Sequence, residues 1–138
     1  MIETHHVEFQ THGEGEIIRI TDEIQRLLKK SGVQEGSVLI FLQSTTASVT
    51  IIENEPGLLS DLGTAMERLA PRNATYEHEK AWHDGNGHSH IRATVMGQSI
   101  TIPVSAGSLL LGQWQDLILA EFDVRQRKRT VIVQIQGD

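Results

Sequence analysis

The chain has 138 residues, of which 38% are hydrophobic and 22% are charged, a composition that predicts one globular domain spanning 1–138. It contains no cysteine, which excludes disulfides, thiolate nucleophiles and cysteine-ligated zinc sites. The net charge of −6, from 18 acidic and 12 basic residues, argues against nucleic acid as a partner, because nucleic-acid-binding proteins carry a basic patch.

The N-terminal residues Met1-Ile-Glu-Thr-His-His lack the basic and apolar regions of a signal peptide. No apolar run approaches the roughly 18 residues that a membrane-spanning helix needs. We therefore expect a cytoplasmic protein with no membrane partner.

The first third of the chain predicts two strands and a helix. Loose alternation over 3–11 and 15–20, around Gly13-Glu-Gly15, is typical of strands joined by a hairpin. A helix follows, for which Thr21 is the predicted N-cap and Gly32 the predicted end.

The next segment predicts two buried strands and a second helix. Residues 37–43 and 47–53 are rich in apolar and β-branched residues, and the short Ser44-Thr45-Thr46 segment turns between them. Residues 58–70 return to helical spacing, and Pro71 ends that helix.

Residues 71–89 show neither period, and a stretch of that length without regular structure is usually functional or disordered. Five short β-rich segments follow it: 91–96, 99–104, 108–112, 116–124 and 129–136. The total of about eight to nine strands and two helices predicts an α+β fold, mainly an antiparallel β-sandwich or partial barrel.

The one dense basic segment is Arg125-Gln-Arg127-Lys128-Arg129. It is typical of a solvated hairpin turn. The alternative is a phosphate-binding edge beside a site.

Four of the seven histidines lie within thirteen residues, at His78, His83, His88 and His90. Imidazole is the commonest metal ligand, so the cluster is a candidate site. The alternative is a polar surface loop whose histidines are solvated.

The His88-Ser-His90 sequence runs into the predicted strand that begins at Ile91. If His88 is already extended, both imidazoles point to one face, and His78, His83 or Asp84 could complete a zinc site. The alternative for His90 is a structural histidine bonded to a backbone carbonyl.

Two strand ends carry polar groups. Glu53 lies at the end of the fourth predicted strand, where a carboxylate could act as acid, base or ligand, or simply be solvated. The hydroxyls of Ser44-Thr45-Thr46 favour a turn role, because no Gly-x-Ser-x-Gly elbow surrounds them. Walker A and Gly-x-Gly-x-x-Gly patterns are absent, which disfavours nucleotide binding.

Five segments together resemble the YjbQ-like family, also called the secondary thiamine-phosphate synthase family. They are Phe41-Leu-Gln-Ser-Thr-Thr-Ala-Ser-Val-Thr-Ile-Ile-Glu-Asn-Glu55, His83-Asp-Gly-Asn-Gly-His-Ser-His-Ile-Arg-Ala-Thr94, Ile102-Pro-Val, Leu111-Gly-Gln-Trp-Gln115 and Glu121-Phe-Asp. The resemblance runs in order over nearly the whole chain.

The resemblance implies a small α+β protein that assembles as a homotrimer. It also implies a side activity that joins the pyrimidine diphosphate and thiazole phosphate halves of thiamine phosphate. A metal ion or anion is expected in a His-rich pocket where subunits meet.

Position by position, the resemblance carries the family's site residues onto Tyr76-Glu-His78, Asp84, Ser89-His90 and Glu53. Two positions depart from the family pattern. Ser44 stands where a histidine is usual, which removes a ligand or acid/base group, and Ile52 stands where an asparagine is usual.

Two hypotheses of function follow. In the first, the chain is an enzyme acting on a small phosphorylated molecule, either a transferase of the thiamine-phosphate synthase type or a metal-dependent hydrolase. In the second, it is a non-catalytic, homo-oligomeric protein that binds a metabolite or anion in a degenerate site, because Ser44 replaces histidine.

The enzyme hypothesis gives each candidate residue a role. A divalent metal, zinc or magnesium, is bound by His78, His88 and His90. Acid, base or water-orienting roles fall to Asp84, Glu53 and His90. Substrate or anion binding falls to Ser44, Thr45, Asn86, Ser89 and Arg92, with the basic segment 125–129 as an alternative phosphate-binding group.

Overall fold

The computed structural model describes residues 1–138 and contains eight strands and four helices. In chain order they are β1 (Ile2–Thr11), β2 (Ile17–Arg19), α1 (Thr21–Ser31), β3 (Gly36–Leu42), β4 (Ala47–Ile52), α2 (Pro56–Leu69), α3 (Glu77–Trp82), α4 (Gly87–Met96), β5 (Ser99–Ser105), β6 (Ser108–Leu109), β7 (Asp116–Glu121) and β8 (Arg127–Gly137).

The strands form two antiparallel sheets. The larger has the order β1-β8-β3-β5-β6 and the smaller the order β2-β7-β4. Side chains of both sheets and of α1 share one core of 18 buried residues. The predicted α+β class, with a mainly antiparallel sandwich or partial barrel, is therefore confirmed, and the structure adds two helices to the two predicted.

Alternating burial along the central strands explains why the strands could be predicted. In β8, Val131, Val133 and Ile135 are buried, and the residues between them are partly exposed. Ile40 of β3 lies opposite Val133, and Val38 lies opposite Ile135. These pairs place one apolar face of the sheet on the core, which is the period-two pattern visible in the sequence.

The predicted N-terminal hairpin is wrong, although both of its strands exist. β1 pairs with β8 and β2 pairs with β7, so the two strands belong to different sheets. The predicted N-cap is also displaced, because Ile20 occupies the cap position and the Thr21 hydroxyl donates to Asp116 at 2.8 Å. Gly32 ends α1 in the left-handed conformation (φ 77°), as predicted.

The predicted strand over 91–96 is wrong, because these residues belong to α4. The buried residues Ser89, Arg92 and Ala93 recur at helical spacing, and Met96 packs against the same small apolar cluster as Ala93. Because two of these buried positions are polar, the apolar pattern in the sequence does not reveal the helical period.

Helix α2 differs from α1 in its burial. It has an amphipathic pattern, yet none of its 14 residues is buried, and Leu69 is exposed. None of the four helices combines the length and apolar character needed to span a bilayer.

Candidate functional site

A polar cleft of about 320 Å³ lies where three segments meet: the β3–β4 turn, the α3–α4 connection with the first turn of α4, and the β7–β8 turn. We call it the turn cleft. Its lining consists of Ser44, Thr45, Thr46, Asp84, Asn86, His90, Asp123, Arg127 and Arg129. Five of the predicted site residues therefore line one cleft: Ser44, Thr45, Asp84, Asn86 and His90.

The α3–α4 connection is shaped by one carboxylate and two glycines. Glu79 accepts hydrogen bonds from the backbone N–H of Gly85 at 2.5 Å and of Gly87 at 2.7 Å. Gly85 has φ 70°, and a Cβ added to Gly87 would lie 2.6 Å from Cβ of Tyr76. Glycine at both positions allows the tight path that brings two lining residues, Asp84 and Asn86, to the cleft.

A buried ion pair supports the base of the cleft. Arg129 donates from Nε to Glu121 Oε1 at 2.7 Å, and Glu121 is fully buried. The same guanidinium donates from Nη1 to the Ser44 hydroxyl at 2.7 Å and from Nη2 to the Thr46 hydroxyl at 2.9 Å. Arg129 is therefore fixed in place, and its charge is balanced by Glu121.

Asp123 connects the walls of the cleft. Its carboxylate accepts from the Thr46 hydroxyl at 3.1 Å, Asn86 Nδ2 at 3.3 Å and Arg127 Nε at 2.9 Å. Burial alone would raise the pKa of Asp123, but hydrogen bonds from the Val124 N–H and Thr46, with the Arg127 charge, hold that pKa below its usual value. Asp123 is therefore ionised at neutral pH.

His90 is the imidazole that lines the cleft. Its ring centroid lies 4.4 Å from that of His78, with the planes tilted by 54°. Burial lowers the pKa of His90, and the nearby His78 lowers it further, while Asp123 and Asp84 oppose the shift. The ring is therefore neutral at pH 7 and can donate one hydrogen bond or accept a proton.

Only some of the predicted metal ligands lie close to one another. His78 Nε2 lies 4.0 Å from Asp84 Oδ2, and His78 Nε2 and Asn86 Oδ1 are buried atoms without a hydrogen-bond partner. No group of three His, Asp or Glu side chains in the chain is placed to hold a metal ion. The residues of a single chain thus do not form a three-ligand metal centre.

Three predicted site residues point away from the cleft because 87–96 is helical. His88 is buried, with Nε2 2.7 Å from Glu14, and Arg92 reaches Glu14 at 3.2 Å and Glu67 at 2.6 Å. The Ser89 hydroxyl is buried and donates to a backbone carbonyl, that of Phe122. His88 and His90 therefore do not share a face, and Arg92 is paired with carboxylates away from the cleft.

Glu53, a predicted site residue, and His83, a member of the histidine cluster, lie outside the turn cleft. Glu53 is exposed and lines a separate cleft of about 410 Å³ with Trp114, so the structure does not bring it together with the histidines. His83 is exposed and ends α3 in the left-handed conformation at φ 57°.

Sequence reasoning missed the carboxylates that support the cleft, Glu121 and Asp123, and offered the basic segment 125–129 only as an alternative. Glu121 and Asp123 lie at the end of β7, and Arg127 and Arg129 lie at the start of β8, two residues apart in each case. Residues two apart in an extended segment lie on the same side of it, so this spacing was the signal in the sequence that the members of each pair lie together. Of the two interpretations of the basic segment, the solvated turn fits Arg125, which is exposed. Arg127 and Arg129 instead line the edge of the turn cleft.

Comparison with known families and sequences shows to which family the chain belongs. The model of the family described as "UPF0047 protein YjbQ-like" matches residues 5–138. The chain belongs to the YjbQ-like family. A UPF0047 protein of Methanothermobacter thermautotrophicus is 37% identical over 134 residues, covering 97% of this chain and 92% of the relative. The UPF0047 protein YugU of Bacillus subtilis is 33% identical and covers 95% and 97%.

Two solved structures share the fold. A YbjQ-like protein of unknown function from Sulfolobus solfataricus superposes with a TM-score of 0.89 at 29% identity, covering 100% of both chains. A hypothetical protein from Aeropyrum pernix gives a TM-score of 0.86 at 29% identity, covering 97% and 99%. These names state no reaction, so family membership leaves the function to be inferred from the cleft.

Proposed function

We propose that this chain binds a phosphorylated small molecule in the turn cleft and acts on it as an enzyme of the secondary thiamine-phosphate synthase type. One observation carries the proposal: the guanidinium groups of Arg127 and Arg129, the hydroxyls of Ser44 and Thr45, and a neutral imidazole, His90, line the same cleft. Phosphate oxygens are recognised by this combination of donors.

Arg127 is the strongest candidate for the phosphate contact. Its Nε and Nη2 both lie 2.9 Å from Asp123 Oδ2, which leaves its Nη1 amino group free to donate. Arg129 uses most of its donors internally, on Glu121, Ser44 and Thr46. We therefore assign phosphate binding mainly to Arg127, with the Thr45 hydroxyl as a second donor.

The transferase reaction would use these groups in one displacement. The thiazole nitrogen donates its lone pair to the pyrimidine methylene carbon, the carbon–oxygen bond breaks, and pyrophosphate leaves with the bonding electrons. Arg127 would stabilise the departing charge, and neutral His90 would donate a hydrogen bond to a departing oxygen. The half-exposed Asp84 would lie near the positive charge that develops on the attacking nitrogen.

A hydrolase would use the same residues with water as the nucleophile. His90 would then accept the proton of the attacking water, as a neutral imidazole can. The observation that favours the alternative, a non-catalytic binding protein, is that the Ser44 hydroxyl is bonded to Arg129 and occupies the position where the family pattern has histidine.

Calorimetric titration with inorganic pyrophosphate tests the proposal. Arg127→Ala should weaken binding by about 10- to 100-fold, the worth of a charge-assisted hydrogen bond. Arg125→Ala is the matched control, because Arg125 lies exposed in the same turn and should leave the affinity unchanged. Absence of pyrophosphate binding, or equal losses in both variants, would show the proposal to be wrong.

A turnover measurement distinguishes the enzyme hypothesis from the binding-protein hypothesis. The wild-type chain is mixed with the two thiamine-phosphate precursors, and product is measured by chromatography. The enzyme proposal expects product that His90→Ala reduces at least tenfold. Pyrophosphate binding without product, together with product in Ser44→His, would support the degenerate site.

The divalent metal, zinc or magnesium, remains a prediction for this cleft. The unpartnered Nε2 of His78 is the observation that supports it, because a nitrogen without a hydrogen-bond partner is available to a ligand. Elemental analysis of protein purified without a tag measures it, and a stoichiometric metal that His90→Ala removes would support it.

A further inference from the structure

A second groove borders the turn cleft. It measures about 480 Å³ and shares Ser44 and Thr45 with the turn cleft. The rest of its lining consists of Phe41, Leu42, Gln43 and Gln98. We call it the side groove. A molecule held by Arg127 could extend over the shared turn into it.

Phe41 provides the apolar surface of the side groove. It lies near the end of β3, opposite Ser99 of β5 and Ile132 of β8, and its side chain points away from the core. The residue is 44% exposed, whereas its neighbours Ile40 and Leu42 are buried. An aromatic ring that is exposed beside a polar turn offers a face on which a planar ring can stack.

Gln98 provides a fixed polar group. Its Nε2 donates to the Ala93 carbonyl at 2.9 Å and to the Ala47 carbonyl at 3.4 Å, which anchors the amide. Its Oε1 has no protein donor and is free to accept a hydrogen bond. The neighbouring Gln43 is exposed and makes no side-chain hydrogen bond, so the side groove combines one aromatic face with polar amides.

We infer that the side groove binds the organic part of the phosphorylated ligand, and that this part is a planar aromatic or heteroaromatic ring bearing an N–H donor. Phe41 stacks on the ring, and Gln98 Oε1 accepts from the donor. The inference rests on the proposed function, because Arg127 holds the phosphate end. It makes Phe41 a specificity-determining residue.

Phe41→Leu tests the inference, because it removes the aromatic face while keeping an apolar side chain at an exposed position. Affinities are measured by calorimetry for phenyl phosphate, cyclohexyl phosphate and inorganic phosphate. Wild type should bind phenyl phosphate more tightly than the other two. Phe41→Leu should lose about three- to tenfold affinity for phenyl phosphate and stay within twofold for inorganic phosphate.

Trp114→Leu is the control, since Trp114 is an exposed aromatic residue in a different cleft and should leave all three affinities unchanged. Equal affinities of wild type for phenyl and inorganic phosphate would overturn the inference. So would a Phe41→Leu variant that keeps phenyl phosphate affinity but changes its mass by light scattering, since Phe41 would then contact another copy of the chain. If Arg127→Ala binds inorganic phosphate as tightly as wild type does, the proposed function would be overturned instead.

Discussion

At the scale of single residues, the chemistry of the cleft depends on which charges are already compensated. Glu121 neutralises Arg129 in the protein interior, so this pair supports the cleft and contributes little net attraction to an anion. Arg127 is 38% exposed at its side chain and retains a free Nη1 group. Under the proposed function, the cleft would therefore bind an anion through directed donors more than through net charge.

The low pKa of His90 gives a prediction for pH dependence. Burial is its main cause and the charge of His78 the second, so His78→Ala should raise the pKa of His90 toward its ordinary value of about 6.5. Titration of the imidazole resonances by NMR between pH 4 and pH 8 measures this shift. His6→Ala, at an exposed position of β1, is the control and should leave the pKa of His90 unchanged. An unchanged or lowered pKa in His78→Ala would contradict the assigned cause.

The same shift affects stability with a defined sign. Because the folded state holds the pKa of His90 below its unfolded value, the unfolded chain binds the proton more readily. The contribution of His90 to the free energy of unfolding is complete above about pH 6.5 and is lost as the pH falls through the folded pKa. Ligand binding that needs neutral His90 should therefore persist into mildly acidic solution.

Apart from His90, the predicted residues that line the cleft all lie on loops. Ser44, Thr45, Asp84 and Asn86 lie on two connections, and polar residues on connections indicated the site directly. Glu121 could not be found in this way, because a carboxylate in an apolar strand shows its role only once its partner Arg129 is known.

At the scale of elements, the α3–α4 connection determines the position of His90. Its path depends on the two hydrogen bonds to Glu79 and on the close approach of Gly87 to Tyr76. The first turn of α4 then carries His90 to the cleft and His88 to the interior, where it meets Glu14. A change in this connection should therefore alter both the cleft and the stability of the fold.

Two glycine substitutions test the close approach. Gly87→Ala should lower the free energy of unfolding by about 1–3 kcal/mol, because the added Cβ would lie 2.6 Å from Tyr76 Cβ and force repacking. Gly63→Ala in α2 is the matched control. Its Cβ would meet nothing within 4 Å, so it should raise stability by about 0.5–1 kcal/mol. Urea denaturation measures both, and a Gly87→Ala variant as stable as wild type would contradict the packing described for this connection.

The strands were predictable and the two added helices were not, for a physical reason. Along β8 the buried positions Val131, Val133 and Ile135 are apolar and alternate with partly exposed residues, so period two is visible in the sequence. Helix α4 buries Ser89 and Arg92 through hydrogen bonds to a carbonyl and to carboxylates, and such partners are known only from the fold.

At the scale of the whole molecule, apolar side chains remain uncovered. Helix α2 buries none of its residues, and Leu69 at its end is exposed. Ile91 and Val95 of α4 are exposed as well. Apolar surface of this kind is usually covered by a partner, and a second copy of the chain would satisfy it.

We propose that the covering partner is the chain itself and that the assembly is a homotrimer. Light scattering at micromolar concentration should give about three times the 15.4 kDa mass of one chain. Leu69→Glu should lower that mass, because a carboxylate buried between chains without a partner costs several kcal/mol. Lys30→Glu, which also introduces a carboxylate but at an exposed position of α1, should leave the mass unchanged. A wild-type chain that stays monomeric at micromolar concentration would contradict the proposed homotrimer.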